Sequence, residues 1–231
     1  MIFAKKDMKK KNKVIKSLIC SDEYKKERLI DNSPKREKIK ICIIDDEGYH
    51  SLDKLMSLGY KNVDVKYQFS NIEEYKDYDV IFCDIQGIGN VHYPTNKGFD
   101  VALELKNKYP LCNVFIYTGL DLSQMPKLPD SIEYVSKNTS VKEMVALLDK
   151  ECEYLWNPIK AWEKIENSLR KSQIPNKYIA FFEDRFFRSV IDNESNINDA
   201  SFDQLNSFEN FKYCVTIVAS LIDVILRFQG R

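Results

Sequence analysis

Residues 38–46 read KIKICIIDD, an apolar run that ends abruptly in two adjacent aspartates. Such a run predicts a buried strand, because strands covered on both faces of a parallel sheet are almost continuously hydrophobic. Asp45 and Asp46 then lie at the carboxyl end of this strand, where open α/β sheets bind their ligands. Residues 79–84 read DVIFCD and repeat the design, ending in Asp84. The two runs together predict three carboxylates at one edge of a sheet.

The sequence from residue 39 to residue 152 alternates between strand and helix patterns. The predicted strands are 39–44, 63–67, 79–84, 113–117 and 132–135. The predicted helices are 49–58, a weak helix at 71–76, 98–108, a short helix or loop at 121–127, and 140–152. Five consecutive βα units predict a five-stranded parallel sheet with helices on both faces, which is a doubly wound, flavodoxin-like α/β fold.

The three carboxylates at the predicted sheet edge require a partner of opposite charge. Two carboxylates 4 Å apart repel each other by about 4 kcal/mol at an effective dielectric constant near 20. Oxygen ligands of this kind suit Mg²⁺ or Mn²⁺, and a carboxylate that attacks phosphorus becomes an aspartyl phosphate. Thr118 follows the strand 113–117, and Lys137 follows the strand 132–135. A hydroxyl and an ammonium group therefore face the carboxylates from the same edge.

This ordered set of strand-end residues resembles the receiver (CheY-like) domain of two-component response regulators, over about residues 38–152. The resemblance implies that Asp45 and Asp46 coordinate Mg²⁺ and that Asp84 accepts a phosphoryl group. It also implies that the backbone carbonyl of Gln86 is a further metal ligand. The phosphoryl donor in that family is a sensor histidine kinase or a phosphotransfer protein.

The resemblance also assigns roles to the residues that face the carboxylates. Thr118 is expected to bond the phosphoryl oxygens, Lys137 to pair with them, and Tyr134 to be the aromatic switch residue whose ring turns inward on phosphorylation. The implied function is phosphorelay signal transduction in the cytoplasm. The only catalysis that it implies is self-phosphorylation and autodephosphorylation of an aspartate.

Two departures from the family pattern keep an alternative open. The segment 85–98, IQGIGNVHYPTNKG, is longer than the usual loop after the phosphoacceptor, and Asn138 stands where the family has proline. A receiver-like binding or scaffold module that no longer turns over phosphate is therefore the competing hypothesis. A haloacid-dehalogenase phosphatase fits poorly, because it needs a second aspartate at the position of Gln86.

The segment 1–37 is predicted to lie outside the receiver domain. Residues 1–40 contain 14 basic and 6 acidic residues. One hypothesis is a mobile, solvated N-terminal arm, and the other is a patch for an anionic partner or membrane surface.

The segment 153–231 is predicted to be a helical output or interaction region. Its apolar residues recur at helical spacing in three groups, which are Trp156, Ile159, Trp162 and Ile165; Tyr178, Phe181, Phe182, Phe186 and Phe187; and Phe211, Cys214, Val215, Val218, Leu221, Ile222, Ile225 and Phe228. Residues 155–231 contain 10 basic and 10 acidic residues, which argues against DNA binding. The last stripe is either internal core or the surface for a homodimer or protein partner.

The longest apolar stretch, residues 213–228, has 16 residues and contains Asp223. It is too short to span a bilayer, and no signal peptide is evident. The six cysteines stand singly, without a CxxC pair. These features predict a soluble cytoplasmic protein.

Overall fold

The computed structural model describes residues 34–88, 98–125, 127–129, 131–192 and 211–229. The predicted N-terminal arm up to residue 33, the centre of the loop after Asp84 (residues 89–97) and the polar segment 193–210 lie outside the described residues. The described chain divides into two compact units, one of residues 35–152 and one that begins at residue 153.

Five parallel strands form the sheet of the first unit. They are β1 (Lys40–Ile44), β2 (Asn62–Lys66), β3 (Val80–Asp84), β4 (Asn113–Thr118) and β5 (Ile132–Ser136), in the order β2-β1-β3-β4-β5. The central strands β3 and β4 are buried along their whole length, as their continuous apolar sequences require, whereas the edge strands β2 and β5 are partly exposed. The predicted doubly wound α/β fold is confirmed, with the strand order of flavodoxin-like proteins and receivers.

Three α-helices are formed by the residues of this unit that the structure describes, namely α1 (Leu52–Ser57), α2 (Gly98–Lys108) and α3 (Val141–Cys152). The predicted weak helix after β2 is a single 3₁₀ turn, Ile72–Tyr75, and the segment after β4 contains another, Leu122–Gln124. Asn71 and Asp121 cap the starts of these turns, because their side chains accept bonds from the amides two residues later. Pro126 and Pro129 disfavour a longer helix after β4.

The core on the α2 side of the sheet combines side chains from four strands with one face of that helix. Its buried apolar members include Cys42, Ile44, Ile81, Cys83, Val101, Ala102, Leu105, Val114, Ile116 and Ile132. Fully burying one aliphatic side chain of this kind contributes about 1.5–3 kcal/mol. This core fixes the positions of the strand ends, and with them the site residues.

The start of the first unit is joined to α3 by Arg36. Its Nε and Nη2 atoms donate to the two carboxylate oxygens of Asp149 at 2.8 and 2.5 Å, and the Tyr60 hydroxyl donates to the same carboxylate at 2.8 Å. Arg36, which belongs to the basic segment in the sequence, therefore lies within the sheet unit.

The described residues of the second unit form three α-helices, α4 (Pro158–Lys171), α5 (Asn176–Asp192) and α6 (Phe211–Gln229). Asn157 caps α4 by accepting bonds from the amides of Ile159 and Lys160, and Pro158 occupies the first helical position, where its missing N–H costs nothing. Trp162 is fully buried, and its ring centroid lies 5.5 Å from that of Phe186.

The apolar stripe of α6 is buried in the structure. Its buried members are Cys214, Ile217, Val218, Leu221, Ile222, Ile225 and Phe228. Of the two sequence-based hypotheses for this stripe, internal packing is the one that the structure favours. None of the helices in the described part of the chain is long and apolar enough to cross a membrane.

Candidate functional site

Asp45, Asp46 and Asp84 meet at the carboxyl edge of the sheet. Asp45 and Asp46 directly follow β1, and Asp84 is the last residue of the neighbouring strand β3. One side-chain oxygen from each of the three lies within 4.8 Å of the other two. Asp45 and Asp84 are almost fully buried, with 1% and 3% exposure, whereas Asp46 is exposed. The strand pattern therefore brings together the three residues that the sequence singles out.

Lys137 lies between the two buried carboxylates. Its Nζ atom is 2.8 Å from Oδ2 of Asp45 and 2.8 Å from Oδ2 of Asp84. Its backbone N–H donates to the carbonyl of Thr118 at 2.7 Å, which anchors it at the end of β5. No cis peptide bond occurs among the described residues, and the lysine reaches both carboxylates with Asn138 in the place of proline.

The charges of this cluster do not balance. Three carboxylates face one ammonium group, which leaves an excess of two negative charges. Burial raises the pKa of Asp84, although its hydrogen bond to Lys137 opposes the rise. Burial opposes the charge on Lys137, but hydrogen bonds to Asp45 and Asp84 prevail and raise the pKa of this ammonium group. One lysine shared between two buried carboxylates is not enough to neutralise them.

The donor set fits a divalent cation. All three ligand atoms are carboxylate oxygens, which suit hard ions such as Mg²⁺, Mn²⁺ and Ca²⁺. Gln86 lies in the bend after β3, where its N–H donates to Oδ1 of Asp84 at 3.3 Å and its side chain is exposed. The cluster is thus compatible with a divalent metal, and its oxygen ligands alone do not distinguish one of these ions from another.

Thr118 and Tyr134 lie on β4 and β5, the two strands that follow β3 in the sheet. Thr118 ends β4 and is 1% exposed, and its Oγ1 accepts a bond from the amide of Leu120 at 3.1 Å. Asp84 pairs with Tyr117 across the β3–β4 ladder, so Thr118 lies one residue further along the same edge. Tyr134 is half-buried on β5, and its ring packs edge-on to that of Phe99 in α2, with 6.1 Å between the centroids.

An aromatic group beside the cluster is not evident from the sequence. The Lys137 ammonium lies 5.8 Å from the centroid of the Tyr117 ring, and Tyr49 packs edge-on to that ring at 6.1 Å. Burial raises the pKa of Tyr117 to about 12. These rings lie beside the ammonium group of Lys137, whose side chain remains 24% exposed. Only the strand register, which places Tyr117 opposite Asp84, could have indicated this position.

Gly98, the first residue of α2, packs directly on the backbone of Asp84. A Cβ atom at position 98 would lie 1.7 Å from the carbonyl oxygen of Asp84 and 2.8 Å from Cα of Ile85. The Gly98 N–H donates to the carbonyl of Ile85 at 3.3 Å. The sequence indicates only that a glycine begins this helix, whereas the structure shows that no larger residue fits there without moving Asp84 or the helix.

No protein-family model matches the chain, and no curated protein matches it either. Among solved structures, the BeF3-activated receiver domain of DrrB matches with 19% identity, covering 50% of this chain and 97% of its own, with a TM-score of 0.35. A response regulator protein from Burkholderia pseudomallei, described with a phosphorylated aspartic acid, a calcium ion and citrate, matches with 15% identity, covering 62% of this chain and 90% of its own, with a TM-score of 0.35. The fold of the chain is established by its own strand order and parallel pairing.

Proposed function

We propose that residues 38–152 are a receiver domain that accepts a phosphoryl group on Asp84, and that the chain is a response regulator. The observation that carries this proposal is the charge imbalance at the sheet edge, where three carboxylates share one ammonium group. Such a site favours a divalent cation and, with it, an anionic phosphoryl group. In this proposal the donor is a sensor histidine kinase or phosphotransfer protein in the cytoplasm.

Asp84 is the nucleophile in this mechanism. A side-chain oxygen of Asp84 forms a bond to phosphorus while the bond between phosphorus and the donor's leaving atom breaks, which produces an aspartyl phosphate. A cation held by Asp45, Asp46, Asp84 and the carbonyl of Gln86 would neutralise charge on the phosphoryl oxygens, and Mg²⁺ or Mn²⁺ suits these ligands. Burial favours this chemistry because it excludes water from the carboxylate and strengthens every charge interaction around it.

Lys137 and Thr118 stabilise the transferred group. The lysine ammonium, which now bridges Asp45 and Asp84, has three donors and can turn one of them toward a phosphoryl oxygen. The Thr118 hydroxyl can donate to another oxygen while it accepts from Leu120. In the proposed relay, movement of Thr118 lets the half-buried ring of Tyr134 turn inward, away from its present contact with Phe99.

The helical region 153–231 is the proposed output, acting through contacts with another protein or a second copy of the chain. Its buried apolar faces leave recognition to the outer surface of the helices, because α6 uses its stripe for packing. The balanced charge of this region supports a protein partner over DNA.

The proposal is tested by incubating the full chain with Mg²⁺ and a small phosphodonor such as acetyl phosphate, followed by intact-mass measurement. Wild type is expected to gain one phosphoryl group, and Asp84→Asn to gain none. Asp121→Asn is a matched control, because Asp121 is an exposed aspartate whose side chain accepts a bond from the nearby amide of Ser123. An equal mass gain in wild type and Asp84→Asn would exclude Asp84 as the acceptor.

A receiver-shaped binding module without phosphate turnover is the second candidate. The observation that favours it is the double contact of Lys137, whose single ammonium group pairs with both Asp45 and Asp84 and occupies the space between them. Beryllofluoride with Mg²⁺ distinguishes the two candidates, because it mimics a bound phosphoryl group. A receiver is expected to gain several degrees in melting temperature, whereas the binding module is expected to show no change.

A further inference from the structure

Gly87 lies directly against the carboxylate group of Asp46. Its φ angle is +77°, a backbone conformation that favours glycine. A Cβ atom at this position would lie 2.0 Å from Cγ and from Oδ2 of Asp46, and 2.2 Å from Oδ1. The carboxylate of Asp46 therefore occupies the space that any side chain at position 87 would fill.

This close approach involves the end of a side chain, not the backbone. Asp46 is exposed, so its carboxylate can turn toward solvent if position 87 acquires a Cβ atom. Gly98 is different, because a Cβ there would meet the backbone of Asp84, which cannot turn away. A substitution at Gly87 is therefore expected to leave the sheet folded and to displace one carboxylate.

The same turn also supports Asp84. The N–H of Gln86, the residue before Gly87, donates to Oδ1 of Asp84 at 3.3 Å. Residues 86 and 87 thus contact both the buried and the exposed carboxylate of the cluster. Turning Asp46 outward would remove one of the three oxygens that now lie within 4.8 Å of one another.

We propose that Gly87 is a positioning residue of the cation site, since its missing side chain keeps the Asp46 carboxylate beside Asp45 and Asp84. This inference rests on the proposed function, because it assigns Gly87 to the divalent cation that the receiver mechanism uses. Gly87 contacts neither substrate nor cation in this role and acts only through Asp46.

The test is isothermal titration of the full-length protein with Mn²⁺. Gly87→Ala is expected to bind Mn²⁺ about 10-fold more weakly than wild type or worse, the usual scale for disturbing the support of a ligand. Gly87→Asn is the second variant, because asparagine tolerates positive φ better than alanine but adds the same Cβ atom. Both variants are expected to lose affinity to a similar extent while keeping the far-UV circular dichroism of wild type.

Gly59→Ala is the matched control for backbone strain. Gly59 has a φ of +106°, and a Cβ there would meet only the Arg36 side chain, at 3.5 Å. This variant carries a comparable backbone strain away from the carboxylates, and its Mn²⁺ affinity is expected to equal that of wild type. An equal loss in Gly59→Ala would overturn the proposed role of Gly87.

A double-mutant cycle completes the test. In an Asp46→Ala background, Gly87→Ala is expected to cause no further loss of affinity, because the carboxylate that it displaces is already gone. Full additivity, or wild-type affinity in Gly87→Ala alone, would overturn the inference and leave the cation site in place. If wild type itself binds no Mn²⁺, both the inference and the proposed cation site are overturned.

Discussion

Replacing Asp84 by asparagine is expected to stabilise the metal-free protein, although it removes the proposed phosphoacceptor. Asp84 is 3% exposed, and its carboxylate lies within 4.8 Å of ligand oxygens of Asp45 and Asp46. Its ammonium partner, Lys137, keeps a second carboxylate at 2.8 Å, so the substitution does not leave this lysine without an ion pair. The variant therefore removes one of three clustered negative charges, and the ion pair between Lys137 and Asp45 remains.

The magnitude follows from Coulomb energies at an effective dielectric constant of about 20. With 4.8 Å as the upper limit of these separations, each repulsion costs at least about 3.5 kcal/mol, so the two carboxylate neighbours together disfavour the charge on Asp84 by at least about 7 kcal/mol. The attraction to Lys137 at 2.8 Å offsets about 6 kcal/mol of this cost. Asp84→Asn should therefore raise the free energy of unfolding by at least about 1 kcal/mol, or the melting temperature by at least about 4 °C.

The effect should depend on pH. Burial raises the pKa of Asp84 in the folded protein above its unfolded value, so the folded state binds this proton more tightly. The cost of the charged form is fully present above the folded-state pKa and disappears as the pH falls through it. The stability advantage of Asp84→Asn is accordingly expected to be largest near pH 7 and to shrink in acid.

Thermal unfolding of the full chain in chelator, followed by far-UV circular dichroism, measures this effect. Both tryptophans of the sequence, Trp156 and Trp162, lie in the helical unit, so tryptophan fluorescence reports the unfolding of that unit separately. Asp79→Asn is the matched control, because this buried aspartate lies outside the cluster and accepts a bond from the amide of Lys40. A lower stability of Asp84→Asn than of wild type at neutral pH, without metal, would refute the reasoning.

Two further substitutions test the same site from other sides. Lys137→Met should lower the free energy of unfolding by about 2–3 kcal/mol in chelator, because it leaves two buried carboxylates without their ammonium partner. The same substitution should strengthen Mn²⁺ binding in a titration, and weaker binding would contradict this. Gly98→Ala should lower the free energy of unfolding by more than about 2 kcal/mol in a thermal melt, because its Cβ would lie 1.7 Å from the Asp84 carbonyl oxygen. A melting temperature equal to that of wild type would contradict this and would show that α2 can move away.

Much of the fold can be predicted from the sequence because buried parallel strands leave a simple signal. The runs that form β1, β3 and β4 are apolar throughout, and the predicted helix 98–108 matches Gly98–Lys108. The predicted helix 49–58 is shorter in the structure, Leu52–Ser57, because Gly48 has a φ of +82° and Tyr49 packs against Tyr117 instead. The shorter helix depends on tertiary contacts, which cannot be predicted from the helical spacing of apolar residues.

The site residues also divide into those that the sequence places correctly and those whose contacts only the structure shows. Asp45, Asp46 and Asp84 could be placed together because each follows a strand of a predicted parallel sheet. The shared contact of Lys137 and the approach of Gly87 to Asp46 could not be predicted, because both depend on side-chain positions across different loops. A glycine in a loop sequence predicts a turn, and only coordinates show what lies where its side chain would be.

The most direct test of the central claim is to locate the phosphoryl group itself. The full chain would be incubated with Mg²⁺ and acetyl phosphate, reduced with borohydride to convert any aspartyl phosphate to a stable alcohol, digested, and sequenced by tandem mass spectrometry. The reduced residue is predicted at position 84 and nowhere else, and it should disappear when Mg²⁺ is chelated. Modification of another aspartate, or the same yield without the metal, would contradict the proposal that these three carboxylates form a cation-dependent phosphoacceptor site.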